Sequence, residues 1–268
     1  MRAFSGRVWI GVAAAFALVV ALAVSLFAAG GDSSTADAAT AFRAPDLPAS
    51  PELALKVPAP TPLQDGDTST WAIVRRAVFA RARPSLDAAV VARVETQTPE
   101  GTTNIVSVLG RGRDRTGRLW VRVRLAVLPN GRTGWVPREA LGGYGVVRTR
   151  LVVDLERLSA TLLRNGRAIF RASVGVGKPQ WPTPRGQFYV RNRLERYASP
   201  VYGPLAFGTS ARSPTLTDWP GGGFIGIHGT NEPDRLPGRV SHGCIRMSNE
   251  DIVELGRLMP IGTPVTIR

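Results

Sequence analysis

Hydrophobic and polar residues alternate with a period of two along much of this chain, the mark of strands that press one face on a core. In "RLWVRVRL" Leu119, Val121, Val123 and Leu125 alternate with Trp120, Arg122 and Arg124. "LPNGRTGWVPREAL" follows with Asn130-Gly131, a hairpin signal, and a second short strand. Further on, "RLVVDLERLSATLLRNGRAIFRASVGVG" reads as strand, strand, an Asn165-Gly166 turn and strand, and "GQFYVRN" and "GGFIGIHG" add two more β-type runs. One helix is predicted, in "SNEDIVELGRLM", with Ser248 as N-cap and Asp251 where a capping box places an acid. "PIGT" stops it before a closing "PVTIR" strand. The pattern predicts a mainly β chain: a small, twisted antiparallel barrel over residues 71–142, then a β-sandwich with one main helix over 147–268.

Two segments break the alternation. Residues 8–29 contain no charge and follow Arg2 and Arg7. As a helix they would run about 33 Å, enough for a hydrocarbon core of about 30 Å, with the arginines left in the cytoplasm. Residues 1–30 are therefore expected to be a transmembrane anchor or a signal segment. The stretch is longer than a usual signal core, which favours the anchor, although Ala28 to Gly30 and Ala36 to Ala38 both resemble cleavage sites. Residues 31–70 hold six prolines and a net charge of −4. They read as an extended linker whose reach is at most on the order of 120 Å.

Charge narrows the partners. The chain has a formal net charge of +14, from 32 Arg and 2 Lys against 20 acids, and so suits a polyanionic neighbourhood. Residues 71–142 alone carry 13 Arg and 5 acids. They are either a solvated face or a surface on which Trp120 and Trp135, set among arginines, grip an anionic polymer. Nucleic acid is the usual partner of such charge in the cytoplasm, and the export segment argues against it. The single cysteine, Cys244, rules out an intramolecular disulfide and a lipid-bearing N-terminal cysteine.

That cysteine is the main chemical clue. Cys244 and both histidines of the chain, His228 and His242, fall within "IHGTNEPDRLPGRVSHGCIRMS". A thiol is nucleophilic as thiolate and needs a base beside it. In an extended "HGC" the side chains of His242 and Cys244 share a side, and His228 could approach from a neighbouring strand. The helix starting at Ser248 would add a positive dipole end that favours thiolate. Other readings stay open on the residues alone: a buried small hydrophobe at Cys244, structural histidines, or a zinc site completed by Glu232 or Asp234, whose spacing matches no common zinc pattern. No metal or cofactor is expected.

"IHGTNEPDRLPGRVSHGCIRMS", with "TPRGQFYV" upstream at residues 183–190, resembles the L,D-transpeptidase family of YkuD type. The "W-x-x-V" and "G-x-x-G-W-V" patterns after "ARARPSLDAAVVARV" resemble a bacterial SH3-like module. The first resemblance implies Cys244 as nucleophile, His228 as base and acid, and the carbonyl of Gly229 as its orienting partner, at a position where relatives carry Ser. It also sets His242 beside the acyl site, with backbone N–H groups of residues 242–244 as oxyanion donors. Gly243, Ser241, Arg246 and Tyr202 are the expected substrate contacts, Arg246 either steadying the loop or meeting a carboxylate. Residues 193–222, which show little periodicity and include Trp219, are expected to form a lid.

The implied function is peptidoglycan cross-linking between stem peptides, with release of D-alanine, in the bacterial cell envelope outside the cytoplasm. The membrane is a partner through the N-terminal segment, and anionic cell-wall polymers are partners through the arginine-rich module. A carboxypeptidase that uses water in place of the acceptor amine, and a non-catalytic wall-binding protein, are the alternatives.

Overall fold

The structure, a computed structural model, describes residues 59–63, 68–195, 200–216 and 223–268. The apolar segment 8–29, most of the linker and Trp219 lie outside the described residues. No described helix is long and apolar enough to cross a membrane.

The first sheet contains β1 (Thr61–Pro62), β2 (Ser69–Val74), β3 (Val78–Arg81), β4 (Val90–Val94), β5 (Ile105–Arg113), β6 (Leu119–Arg124), β7 (Thr133–Pro137) and β8 (Leu141–Val147). Its order is β4-β3-β7-β6-β5-β2-β8, with β1 added on β5. The sheet thus draws on residues 61–147, more at each end than the alternation suggested. β6 follows its predicted pattern at Val121 and Val123, which join Ala72, Val74, Val106, Val108, Val136 and Leu141 in one apolar core.

Trp120 does not fit the second of the two readings, in which tryptophans among arginines grip a polymer. It is 0% exposed, its indole N–H donates to Asp114 Oδ2 at 2.8 Å, and Trp135 is also buried. A large ring gains more from burial than from solvent once its one polar atom finds an acceptor. The exposed surface of this sheet therefore offers arginines without those tryptophans.

The second sheet contains β9 (Thr149–Asp154), β10 (Ser159–Arg164), β11 (Arg167–Ser173), β12 (Gly175–Gly177), β13 (Gly186–Glu195), β14 (Leu205–Arg212), β15 (Phe224–His228), β16 (Gly238–Ser241), β17 (Ile245–Arg246) and β18 (Pro264–Ile267). They run in the order β11-β10-β9-β18-β13-β14-β15-β17-β12-β16. The two layers of the predicted sandwich are joined by β13: Gly186 to Tyr189 pair with β18, and Val190 to Glu195 pair with β14. One core spans both layers, from Leu151, Val153 and Phe170 to Phe207, Ile227 and Ile245.

α1 (Asn249–Leu258) packs on β14 and buries Ile252 and Leu255 in that core. Its N-cap is the predicted one. Ser248 Oγ accepts from the Asp251 N–H at 3.0 Å and donates to Asp251 Oδ2 at 2.7 Å.

The lid expected over 193–222 is corrected in its middle. "LAFGTSAR" is strand β14, buried along all but its last residue between β13 and β15. A strand covered on both faces loses the alternation that marks a half-buried one, so its lack of period looked like a loop. Residues 196–199 and 217–222, which flank it, lie outside the described residues.

Candidate active site

The site depends on a parallel pairing. β15 and β17 lie side by side with Ile227 opposite Ile245 and His228 opposite Arg246, although 16 residues of chain lie between their near ends. One step back, the Gly226 N–H donates to Cys244 Sγ at 3.3 Å. A Cβ on Gly226 would sit 3.7 Å from His228 Cδ2 and 3.8 Å from Cys244 Sγ. The thiol and the imidazole therefore flank the same glycine.

His228 is buried, and its Nδ1 lies 2.6 Å from the Gly229 carbonyl. A carbonyl can only accept, so Nδ1 carries the proton and Nε2 keeps its lone pair. Burial is the main reason the imidazole is pushed down to about 4; Arg246 adds to the shift and the Gly229 bond opposes it. Cys244 is half-buried, and burial pushes its thiol above the ordinary value against the opposing pull of the Gly226 N–H and Arg246. These directions correct the expectation of a thiolate favoured by the helix dipole. At neutral pH the resting pair is a neutral imidazole and a protonated thiol.

The loop carrying Cys244 is bent at His242 and Gly243, so "HGC" is not the extended segment expected. Gly243 has φ +115°, in the left-handed region, and a Cβ there would lie 3.0 Å from Ile225 Cδ1. Ser241 was expected to meet substrate. Its side chain lines the pocket, but its hydroxyl donates to the Cys244 carbonyl at 2.6 Å and accepts the Gly243 N–H at 3.1 Å. The Gly243 N–H is thereby committed within the loop, which removes it from the oxyanion donors expected among residues 242–244.

Thr183 is a contributor to which the sequence reading assigned no role. Its hydroxyl donates to the Gly243 carbonyl at 2.8 Å and accepts the Gly177 N–H at 2.9 Å, tying the "TPRGQFYV" segment to the cysteine loop. Trp181 is another, its ring tilted by 39° against that of His242 with centroids 4.3 Å apart. The "TP-x-G-x-F" pattern was the available signal for Thr183; no spacing rule pointed to Trp181.

The remaining predicted residues lie around the same pocket, which is lined by Tyr202, Phe224, His228, His242, Cys244 and Arg246 among others. Tyr202 meets His228 edge-on, with centroids 4.7 Å apart. Arg246 donates to Glu232 Oε2 at 2.8 Å, and its buried Nε has no hydrogen-bond partner among the described residues. Glu232 also takes Arg235 at 2.8 Å, so its carboxylate serves two arginines. Asn249 Oδ1 accepts the Thr230 N–H at 3.0 Å and fastens the start of α1 to the chain just after His228. A side chain on Gly229 would run into that Asn249 side chain and come within 3.1 Å of Gly203 Cα, which explains the glycine there.

A buried imidazole with Nδ1 held by a carbonyl, lining the same pocket as a thiol, is an arrangement chemically able to carry out thiol acyl transfer. Residues 148–267 match the family model of the L,D-transpeptidase catalytic domain, YkuD. That segment is therefore similar to the L,D-transpeptidase catalytic domain of YkuD type. A Bacillus subtilis protein carrying the name L,D-transpeptidase YkuD is 37% identical over 117 residues, covering 44% of this chain and 64% of its own length. A second B. subtilis protein, carrying the name L,D-transpeptidase YqjB, is 38% identical over 103 residues, covering 35% of this chain and 57% of its own. The chain thus spans less than two thirds of these curated relatives. The solved catalytic domain of an Enterococcus faecium L,D-transpeptidase is 28% identical and covers 45% of this chain and 96% of that one, with a TM-score of 0.34.

Proposed function

We propose that this protein is a peptidoglycan L,D-transpeptidase that cross-links stem peptides through a Cys244 acyl-enzyme. The observation that carries this reading is the His228 tautomer. With Nδ1–H held by the Gly229 carbonyl, Nε2 is left as the base on the side of the pocket where Cys244 lies. Sγ attacks the carbonyl between the third residue of the donor stem and its terminal D-alanine while Nε2 takes the thiol proton. His228 then returns that proton to the nitrogen of D-alanine as the C–N bond breaks, leaving a thioester. An amine on a neighbouring stem attacks the thioester, its proton passes through His228 to the departing thiolate, and a new amide remains.

The neutral resting pair suits this sequence, because proton transfer and attack occur together and no charge is buried beforehand. The oxyanion reading narrows to amides of the loop other than Gly243, with that of Cys244 as the main donor. His242, packed against Trp181, shapes the loop. Residues 8–29 hold the enzyme at the outer face of the cytoplasmic membrane. The SH3-like first sheet meets anionic wall polymer along a groove lined by Arg83, Arg113 and Arg115.

The test is turnover of a tetrapeptide stem donor mixed with an amine-bearing acceptor stem, with cross-linked dimer and hydrolysed tripeptide quantified together. Dimer should dominate, because an amine held at the thioester has a large advantage over water. Both products should vanish in Cys244→Ala. Tripeptide without dimer at high acceptor concentration would make this a carboxypeptidase, and no product from the wild-type chain would favour a non-catalytic wall-binding protein.

A further inference from the structure

One wall of the pocket is formed by Ser213 and Leu216, just after β14, and by Gly223 and Phe224, at the start of β15. The Phe224 ring has two guanidinium neighbours, with Arg191 Cζ 3.7 Å and Arg212 Cζ 4.9 Å from its centroid. Both arginines belong to the catalytic domain. Both are also held by the first sheet.

Arg191 is 2% exposed. Its Nε donates to the Thr209 carbonyl at 2.8 Å, and its Nη2 donates to Glu100 Oε1 at 3.0 Å. Glu100 lies in the turn between β4 and β5, and its second oxygen accepts from Asn192 Nδ2 at 3.1 Å. Burial alone would raise this carboxyl; Arg191 and the bonds from Thr98 and Asn192 outweigh it and hold Glu100 below the ordinary value. A buried arginine needs such a partner, because an unpaired guanidinium in a dry interior is costly.

Arg212 is gripped through its backbone. Asn130 Oδ1 accepts the Arg212 N–H at 3.0 Å, and Asn130 Nδ2 donates to the Arg212 carbonyl at 2.7 Å. The side-chain amide thus imitates one residue of a pairing strand at the last position of β14. The next residue, Ser213, donates its N–H to the Gly223 carbonyl at 2.8 Å, tying together two residues that line the pocket. Asn130, whose place before Gly131 explains it as a turn residue, therefore also reaches across to the catalytic domain.

We propose that Glu100 and Asn130 of the first sheet are positioning residues for the substrate pocket, fixing the Arg191, Phe224 and Arg212 stack and with it the wall against which the acyl donor lies. The first sheet is on this account part of the active-site scaffold as well as a contact to the wall. The inference rests on the transpeptidase reading for its substrate. Its structural half does not depend on that reading.

The test compares Asn130→Ala, Glu100→Gln and Tyr189→Phe in the full chain. Tyr189 donates to the Ile105 carbonyl at 3.2 Å, another contact between the same two sheets, and neither Tyr189 nor Ile105 lines the pocket. Losing Glu100 or Asn130 should raise KM for the stem donor about tenfold, with kcat falling less, and should speed amide hydrogen exchange at Ser213, Thr215, Leu216 and Phe224. Alkylation of Cys244 by iodoacetamide, which needs no pocket wall, should stay within about twofold of wild type. Tyr189→Phe should lower thermal stability and leave KM and the exchange of those four amides unchanged. If all three variants lose stability alike and none changes KM or local exchange, the contacts only join the two sheets and the proposal fails. If wild type turns over no stem peptide, the transpeptidase reading fails, and unchanged exchange in Asn130→Ala and Glu100→Gln would still overturn the positioning role.

Discussion

Acid should destabilise this protein through His228. An exposed histidine takes a proton near 6.5, whereas burial holds His228 down to about 4 in the folded protein. Between those two values the unfolded chain binds a proton that the folded chain does not, so stability must fall as pH falls. The contribution is fully present above the unfolded value and is lost progressively from 6.5 down to about 4. Each pH unit in that window costs about 1.4 kcal/mol at most, which sums to on the order of 3 kcal/mol by the lower end. Because His228 is 2% exposed, solvent screening removes little of this. Carboxylates such as Glu100 and Glu139 are held below their ordinary values and add a further acid loss, so wild type alone cannot isolate the histidine. His228→Gln removes it, since glutamine does not titrate. Urea unfolding followed by tryptophan fluorescence at pH 7.5, 6, 5 and 4 for both proteins gives the difference in unfolding free energy at each pH. That difference should shift against wild type by about 3 kcal/mol between pH 7.5 and 4. A difference independent of pH would mean that His228 titrates normally and is not buried as a neutral base.

The companion expectation concerns the thiol: iodoacetamide alkylation of Cys244 without substrate should rise with pH through a midpoint above the ordinary thiol value of 9.0, because burial raises it. A midpoint near neutrality would show a preformed thiolate and reinstate the helix-dipole argument. Binding of the chain to immobilised anionic wall polymer should weaken steeply between 50 mM and 500 mM salt, as screening shortens the reach of Arg83, Arg113 and Arg115, and Arg83→Gln with Arg115→Gln should weaken it at low salt. Salt-independent binding would assign the contact to something other than those arginines.

The elements legible in the sequence were those whose local signals agree with their surroundings. β6 alternates because one of its faces is wet, β10 and β11 are joined by Asn165-Gly166, and α1 announces itself through Ser248 and Asp251. β14 carried no such signal. Both of its faces are covered, and "LAFGTSAR" mixes Gly, Thr and Ser with apolar residues because Gly208 lies against Asn192 and Thr209 Oγ1 donates to the Ile225 carbonyl at 2.7 Å. Trp120 misled for a related reason: whether an indole is buried depends on an acceptor six residues away, at Asp114, which periodicity does not weigh.

The site divides along the same line. Cys244 and His228 stood out because their residue types are rare in this chain, and the resemblance supplied the roles expected of them and of Gly229. What brings Cys244 and His228 together, the parallel pairing of β15 with β17, is long-range and left no mark in the spacing. The resting protonation state was illegible for a physical reason as well. A helix N-terminus and a nearby imidazole are visible in a sequence and both favour thiolate, but the burial that opposes them is a property of the assembled core. The same holds for Asn130 and Glu100. Their local roles as turn residues account fully for their presence, so nothing in the sequence called for a second role, and only the packing of one sheet on the other set an amide against the Arg212 backbone and a carboxylate against Arg191. Residues that serve two structures at once are hidden from local reasoning because the first service already explains them.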